Sequence, residues 1–273
     1  MVWNRTHVET LAPDEGAFQP VAAAGVAPGL AIRLLSKDES DGALTALLRI
    51  PPGWRQEAPF AARCTLEAYV IEGDLTVGDL AFRQGWYTYR PAGFRTGPIH
   101  SAGGALLLLF TYGRFALGEE RETAGAIPGV DTETIPWGKP LTDKKDSPLL
   151  SKSLRIDPET GERVFLNRLL EPAGDPRIEW HPCVEELYQL EGTTSMDYPR
   201  NRFLLAPGVY CYRPPNIPHG PFQTDGPVLT LIRVSSTLIN YYVSPEEAER
   251  MIRAYGPGID PRMLEEAPPE VPA

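Results

Sequence analysis

Residues 186–193 read ELYQLEGT and residues 67–74 read EAYVIEGD, so one short pattern occurs twice, 119 positions apart. A second pair follows in each half: GWYTYRPAGF at residues 85–94 and GVYCYRPPNI at residues 208–217, now 123 positions apart. The offset changes only because one loop is four residues longer in the second half. Repetition of a whole succession of short segments indicates a duplicated structural unit.

The composition around these segments is typical of strands and turns. The chain holds 29 prolines and 25 glycines, scattered between short β-branched and aromatic runs. This punctuation favours an all-β architecture with many turns. One helix is expected in SPEEAERMIRAYG at residues 244–256, with Ser244 as N-cap, Pro245 at the first position and Gly256 as the stop.

We therefore predict two tandem β-barrels with a short C-terminal helix. A length of 273 residues fits two domains of roughly 150 residues each. The predicted organisation is an N-terminal barrel at residues 1–115, a linker rich in proline, glycine and charge at residues 116–155, a C-terminal barrel at residues 156–243, and a helix with a tail at residues 244–273.

Charge and cysteine content exclude several classes of function. A net charge of −10 and a pI near 5.0 repel a phosphate backbone, so nucleic acid is not an expected partner. Cys64, Cys183 and Cys211 cannot all pair within one chain and form no CxxC motif, which favours a reducing compartment. No segment approaches about 18 uninterrupted apolar residues, and the N-terminus lacks the apolar run of a signal peptide. We expect a cytoplasmic protein without membrane contact.

Titratable residues cluster in the second half of the chain. Arg177, Glu179 and His181 alternate along one predicted strand and would share a face, and Glu185 begins the next strand. If His219 enters the same barrel interior, two imidazoles and two carboxylates converge there. Unpaired carboxylates in an apolar barrel cost several kcal/mol or more, and a metal ion is the ordinary way to offset that cost.

The first half of the chain serves as an internal control for this cluster. The positions aligned with these four residues are Phe60, Ala62, Leu66 and Thr96. All four ligands are absent there, and three of the replacements are apolar. The first barrel should therefore be a structural or dimer-forming partner without a metal, and a homodimer is expected.

The second half resembles the cupins. The segments EWHPCVEELYQLEG at residues 179–192 and GVYCYRPPNIPH at residues 208–219 are similar to the two cupin motifs, HxHx(3–4)Ex(6)G and Gx(5)PxGxxHx(3)N. Glu179 replaces the first histidine, Asn216 the second motif's glycine and Gln223 the final asparagine. The segment HPCVEELYQLEG at residues 181–192 looks most like the motif of ChrR-type anti-sigma and dioxygenase-like cupins. The resemblance implies a bicupin of double-stranded β-helix (jelly-roll) barrels whose N-terminal cupin is degenerate.

The resemblance also implies one divalent metal in the C-terminal cupin. Its ligands would be His181, Glu185 and His219, with Glu179 either as a fourth ligand or as a carboxylate that orients a histidine. Imidazoles and carboxylates suit Fe(II), Mn(II), Ni(II) or Zn(II), and a structural zinc site would more often show thiolates. Fe(II) is our first expectation.

The function expected from this resemblance is a metal-dependent enzyme that acts on a small organic substrate, foremost as an oxygenase or dioxygenase. A redox-silent Lewis-acid isomerase, lyase or hydrolase, a non-catalytic small-molecule or metal sensor, and a vestigial storage-type barrel remain alternatives. Arg177, Gln189 and Arg233 are expected to contact an acidic substrate. No catalytic residue is assigned beyond the metal ligands.

Four further residues are given structural roles. Glu186 directly follows Glu185 and should point to the opposite face of its strand, where it would make a structural hydrogen bond or ion pair. Arg90 and Arg213 occur at matching places in the two halves and are expected to brace a turn before proline. His7 is expected at the surface.

Overall fold

A computed structural model of the chain describes residues 4–142, 144, 147–198 and 201–265. Its regular structure is almost entirely β-strand, which confirms the all-β class. The strands are β1 (Val8–Leu11), β2 (Gln19–Pro20), β3 (Ala31–Lys37), β4 (Leu44–Ile50), β5 (Arg55–Gln56), β6 (Ala61–Ala62), β7 (Thr65–Val77), β8 (Leu80–Arg83), β9 (Trp86–Arg90), β10 (Ile99–His100), β11 (Ala105–Tyr112), β12 (Leu117–Gly118), β13 (Ile127–Asp131), β14 (Leu150–Ile156), β15 (Arg163–Leu169), β16 (Ala173–Asp175), β17 (Ile178–Trp180), β18 (Glu185–Glu191), β19 (Thr194–Tyr198), β20 (Asn201–Leu205), β21 (Tyr210–Arg213), β22 (Phe222–Thr224), β23 (Val228–Val234) and β24 (Tyr241–Val243).

The chain forms two compact units. The N-terminal unit consists of residues 16–135, and the C-terminal unit combines the segment before residue 16 with the segment from residue 136 onward. This division differs from the predicted boundaries at residues 115 and 155. Strands β12 and β13 still pair with β6 and β9 of the N-terminal unit, and β1 pairs with β21 of the C-terminal unit.

The C-terminal unit is built from two principal antiparallel sheets. A six-stranded sheet has the order β1-β21-β18-β23-β15-β14, and a four-stranded sheet has the order β16-β22-β19-β20. Leu187 and Ile232 of the first sheet belong to the same buried cluster as Met196 and Phe203 of the second. The hydrophobic core therefore lies between the sheets, and side chains that alternate along β18 face it at every second position.

The N-terminal unit has a sheet of the order β13-β9-β7-β11-β4-β3-β2, with the short strands β5, β8 and β10 attached. Its buried cluster includes Ile50, Trp54, Val70, Phe82 and Leu107. The long strand β7 pairs with β11, β9, β8 and β10, which makes it the centre of the unit.

Backbone pairing reproduces the internal repeat. Phe60 and Thr96 exchange both backbone hydrogen bonds, at 3.0 and 2.7 Å, and Glu179 and His219 do the same at 2.9 and 2.8 Å. These are the residues that the sequence alignment of the two halves places opposite each other. The two units therefore share one backbone scaffold at the position of the candidate site.

One glycine is required at the same place in both copies. Gly73 and Gly192 both have a left-handed backbone, with φ of 76° and 69°. A Cβ atom on Gly73 would lie 2.1 Å from the carbonyl oxygen of Gly104, and one on Gly192 would lie 2.0 Å from that of Pro227. No side chain fits such an approach, which explains the glycine in the repeated EGD and EGT segments.

The expected C-terminal helix is confirmed as α1 (Pro245–Tyr255). The Ser244 hydroxyl accepts a hydrogen bond from the backbone N–H of Glu247 at 3.2 Å, as an N-cap should. Ala248 and Ile252 bury the apolar side of the helix in the core of the C-terminal unit. Two short 3-10 helices lie at Thr132–Thr134 and Pro261–Met263, and the predicted tail beyond residue 265 lies outside the described residues. None of the helices in the described part of the chain has the length and apolarity to span a bilayer.

Candidate metal centre

Four of the residues singled out in the sequence come together inside the C-terminal unit. Glu179 lies in β17, His181 follows that strand, Glu185 is the first residue of β18, and His219 stands in the loop before β22. All four side chains are buried. The backbone bridge between Glu179 and His219 brings the two distant segments together, and it forms in the N-terminal unit as well.

The ligand atoms of Glu179, His181 and His219 lie within 4.8 Å of one another, and Glu185 lies beside the two histidines. The Nε2 atoms of His181 and His219 are 3.1 Å apart. Oε2 of Glu185 lies 3.9 Å from Nε2 of His181 and 3.6 Å from Nε2 of His219, and Oε1 of Glu179 lies 3.9 Å from Nε2 of His219. Ligand atoms bound at about 2.1 Å to one octahedral ion are roughly 3 Å from their neighbours. The two imidazole nitrogens meet this spacing, and the carboxylate oxygens lie up to about 1 Å farther from them.

The hydrogen bonds of the two imidazoles fix where their protons are. Nδ1 of His219 is 2.9 Å from the carbonyl oxygen of Ile217, and Nδ1 of His181 is 3.3 Å from that of Ile239. Because a carbonyl oxygen can only accept, each Nδ1 carries the proton and each neutral Nε2 presents a lone pair. In the neutral form of each ring, Nε2 is then the atom that can bind a metal ion, and the two Nε2 atoms are 3.1 Å apart.

A metal ion between the rings could bind both Nε2 atoms. Burial, the charge of Arg213 and the proximity of His181 hold the pKa of His219 well below its ordinary value, which favours the neutral, metal-binding form of that ring. Metal-bound histidines characteristically donate their other ring N–H to a carbonyl or carboxylate, as both rings do here. The residues present thus fit a divalent metal ion.

Each carboxylate of the cluster also contacts a cation of the protein. Oε2 of Glu179 is 2.5 Å from Nζ of Lys144, and Oε2 of Glu185 accepts a hydrogen bond from Arg213 at 2.9 Å. Burial raises the pKa of Glu179, and the ammonium of Lys144 opposes that rise. Both carboxylates thus have a cationic partner inside the unit.

Arg213 connects the cluster to the start of the chain. Its guanidinium is fully buried and donates to Glu185 and, at 2.9 Å, to Glu9 on β1. Glu9 in turn lies 3.0 Å from Nε2 of His7. The expectation that His7 lies at the surface was wrong, because the first strand joins the six-stranded sheet and carries His7 into the interior. Arg213 also does more than brace a turn.

A cavity of about 700 Å³ adjoins the cluster. Glu179, His181, Glu185 and Arg213 form its charged end. The remaining wall combines aliphatic and aromatic side chains with amides and hydroxyls, among them Leu187, Leu205, Phe222, Ile232, Thr230 and Asn240. This mixture of apolar surface and a few polar groups is typical of sites for small organic molecules.

Two of the three predicted substrate contacts line the cavity. Gln189 does so, but its amide is held within the protein, accepting from Thr230 at 2.9 Å and donating to the carbonyl of Glu191 at 2.9 Å. Arg177 lies at the more exposed side, with two hydrogen bonds of 2.8 Å to Asp175 and its guanidinium 3.9 Å from the centre of the Tyr242 ring.

Arg233 does not line the cavity, and its assignment as a substrate contact is corrected. It pairs across strands β18 and β23 with Glu186, and residues directly opposite in a ladder share one face. Its guanidinium lies 3.2 Å from Oε2 of Glu186, and its side chain is 1% exposed. Glu186 lies on the face opposite to Glu185, as the alternation along the strand predicts, and also accepts from Arg5 and Tyr210.

The N-terminal unit carries the scaffold of this site without its ligands. Arg90 stands opposite Leu66 in β9 as Arg213 stands opposite Glu185 in β21. Its guanidinium donates to the hydroxyls of Thr88 at 3.1 Å and Thr96 at 3.3 Å. Burial lowers the pKa of Arg90 to about 10. Thr96 occupies the place of His219, so neutral groups replace the imidazole and carboxylates.

Several residues near the centre escaped the sequence reasoning. Lys144 lies in the segment predicted as a linker, where it contacts Asp175 at 3.2 Å as well as Glu179. Glu9 stands far from both motifs in the chain. The sequence offered one signal for these contacts. Arg90 and Arg213 both precede a proline at matching places in the two halves, which indicates that both side chains point into their units.

Comparisons with known proteins agree with this architecture. Residues 8–116 match a family model described as the ChrR cupin-like domain. That match falls on the N-terminal half, whereas the motif resemblance concerns the C-terminal half. No protein of the curated set matches the sequence.

Solved structures cover both units. A candidate dioxygenase from Nostoc punctiforme PCC 73102 shares 24% identity, with 90% of this chain and 88% of that chain covered and a TM-score of 0.77. A variant of Bacillus subtilis oxalate decarboxylase shares 14% identity, with 87% and 80% covered and a TM-score of 0.57. The B. subtilis decarboxylase is a protein with Mn(II) centres. This chain is therefore similar to the ChrR cupin-like domain over residues 8–116 and has the fold of two tandem cupin barrels.

Proposed function

We propose that this protein is a metal-dependent enzyme that oxidises a small acidic organic substrate with dioxygen. The observation that carries the proposal is the pair of Nε2 atoms of His181 and His219, 3.1 Å apart beside two buried carboxylates and a cavity. The fold shared with a candidate dioxygenase supports the reaction class, and the Mn(II) centres of oxalate decarboxylase support a mononuclear divalent ion.

The ligands proposed are His181, Glu185 and His219, with Glu179 as a fourth. A divalent ion held there would act as a Lewis acid, and Fe(II) or Mn(II) would also permit oxidation by dioxygen. The carbonyls of Ile217 and Ile239 orient the rings through their Nδ1–H groups, and Lys144 and Arg213 hold one oxygen of each carboxylate. The protein's own contribution is thus to bury and orient two imidazole and two carboxylate donors.

The charges around the cavity favour an anionic substrate. The lining holds three cations, Lys144, Arg177 and Arg213, and three carboxylates, Asp175, Glu179 and Glu185. Glu9 adds a fourth carboxylate behind Arg213. Three cations and a divalent ion exceed four carboxylates by one charge. A substrate with one carboxylate, phenolate or enolate would balance that excess.

The size of the cavity bounds the substrate. A volume of about 700 Å³ falls within the roughly 300–1,000 Å³ of small-molecule sites, so the substrate has an organic body in addition to its acidic group. Leu187, Phe222 and Ile232 would contact the apolar part and exclude water. Lys144, Arg177 and Gln189 would contact the polar part.

An oxygen-uptake assay tests the proposal. Protein loaded with Fe(II) is screened against carboxylic acids, phenols, diketones and thiols, and each acid is paired with its neutral amide. We expect oxygen consumption that requires both metal and substrate, and faster turnover of an acid than of its amide. The Arg177→Met variant should raise KM for the acid while KM for the amide stays unchanged, because the Arg177 guanidinium pairs with Asp175 and not with a proposed ligand.

The outcomes separate oxygenase chemistry from its rival. Turnover with Zn(II) and without oxygen uptake would replace the oxygenase proposal by a redox-silent Lewis-acid enzyme. Metal binding without turnover of any substrate in the panel would favour a sensor. Failure of the wild-type protein to bind any divalent ion would contradict the metal centre itself.

A further inference from the structure

We propose that Glu9 is a positioning residue of the metal centre, which acts through Arg213 to keep the charge and orientation of Glu185 available to the ion. The inference rests on the proposed metal site. It assigns a function in the C-terminal unit to a residue at the very start of the chain.

Strand pairing brings Glu9 to the centre. In the six-stranded sheet β1 lies next to β21, and β21 lies next to β18. Val8 pairs with Tyr212, and Arg213 pairs with Glu185. Glu9 and Arg213, 204 positions apart in the chain, thereby become neighbours in space.

Hydrogen bonds hold the Glu9 carboxylate in one orientation. The backbone N–H of Asp260 donates to Nδ1 of His7 at 3.0 Å, so the proton of the neutral ring is on Nε2. Nε2 of His7 then donates to Oε2 of Glu9 at 3.0 Å. Oε1 of Glu9 accepts from Arg213 at 2.9 Å, and the Glu9 backbone N–H donates to Asp260 at 3.1 Å. Asp260 thus orients His7, and His7, Asp260 and Arg213 together orient Glu9.

Glu9 matters for the metal centre because it shares the positive charge of Arg213 with Glu185. Arg213 is 2% exposed at its side chain and contacts two carboxylates, Glu9 and Glu185. With Glu9 present, the guanidinium is already neutralised, and Glu185 retains negative charge for a cation. Without Glu9, the full charge of Arg213 would act on Glu185 alone in a medium of low dielectric constant and compete with the ion.

The N-terminal unit supplies a natural comparison. Arg90 occupies the place of Arg213 there, and in the described part of the chain it has no carboxylate within ion-pair distance; its partners are the hydroxyls of Thr88 and Thr96 and the carbonyl of Pro128. The same scaffold position thus has a paired carboxylate only in the unit that carries the candidate ligands.

Cobalt titration tests the role of Glu9. Metal-free full-length protein is titrated with Co(II), and the dissociation constant and the visible d–d spectrum are recorded for the wild type, Glu9→Gln, Glu9→Asp and Glu186→Gln. Loss of a residue that orients a ligand costs about 10–100-fold in metal affinity, and we expect that loss for Glu9→Gln together with a changed d–d spectrum. Glu9→Asp, which keeps the charge, should restore part of the affinity.

Glu186→Gln is the matched control. Glu186 is an equally buried, arginine-paired carboxylate on the other face of the same sheet. Its substitution should reduce stability while leaving the Co(II) affinity and spectrum unchanged.

The outcomes distinguish this inference from the proposed function. A Glu9→Gln protein with wild-type Co(II) affinity and spectrum would overturn the positioning role. If Glu9→Gln does not fold, Glu9→Asp decides, because its shorter side chain moves the carboxylate away from Arg213: a partial loss of Co(II) affinity would support the positioning role, and affinity and spectrum identical to the wild type would overturn it. A wild-type protein that takes up no Co(II) would instead overturn the metal centre on which the inference rests.

Discussion

Acidification of the metal-free protein should expose the interaction between Glu9 and Arg213. Burial alone would raise the pKa of Glu9, but the charge of Arg213 and the hydrogen bond from His7 outweigh it and lower the pKa from 4.5 to about 2. A carboxylate with a depressed folded-state pKa adds stability that is fully present above its unfolded pKa of 4.5 and is lost as pH falls through 2. A difference of about 2.5 pKa units corresponds to about 3 kcal/mol.

The Glu9→Gln variant isolates this contribution from that of the other carboxylates. Urea unfolding in the presence of a chelator, followed by circular dichroism between pH 7 and pH 3.5, gives the free energy of unfolding of both proteins. The wild type should exceed the variant by up to about 3 kcal/mol at pH 6, and the difference should shrink by about 1–1.5 kcal/mol by pH 3.5. A difference that does not change over this range would refute the ionised, arginine-paired state of Glu9.

Three substitutions and one measurement of size extend the tests. His219→Ala should abolish binding of a divalent ion, measured by elemental analysis, and preserve the far-ultraviolet circular dichroism, because Thr96 forms the same backbone bridge in the N-terminal unit; retention of stoichiometric metal would contradict the ligand assignment. Arg233→Met should leave KM unchanged but lower the free energy of unfolding by about 2 kcal/mol, since it removes one of the two buried arginines that pair with Glu186; a large KM effect would restore it as a substrate contact. Ser244→Ala should cost about 1 kcal/mol in urea unfolding through loss of the N-cap, without a change in metal content. Light scattering would test the predicted homodimer, and a monomer at assay concentration would contradict it.

The all-β fold and its two units could be predicted from local sequence patterns. Strand alternation, turn residues and the repeat each depend on neighbouring residues or on a comparison of the chain with itself. The cap at Ser244 and the stop at Gly256 were readable for the same reason. The repeat also placed Glu179 opposite Phe60 and His219 opposite Thr96, and the two backbone bridges reproduce that correspondence.

Long-range pairing was beyond the reach of the same reasoning. Nothing in the sequence near Glu9 indicates that β1 adds to a sheet of the C-terminal unit, and so His7 was assigned to the surface and Arg213 to a turn. Arg233 was misassigned because the register between β18 and β23, which places it opposite Glu186, is a tertiary property. Lys144 lies in a segment whose composition is that of a linker, and only the folded chain brings it to Glu179.

The location of a bound ion is the most direct test of the account. Crystals grown with Mn(II) or Fe(II) and measured at the absorption edge of the metal would show its position by anomalous scattering. One peak per chain is expected, about 2 Å from Nε2 of both His181 and His219 and in contact with at least one of Glu179 and Glu185. A metal-saturated protein with no peak there, or with its ion bound elsewhere, would contradict the centre and the function built on it.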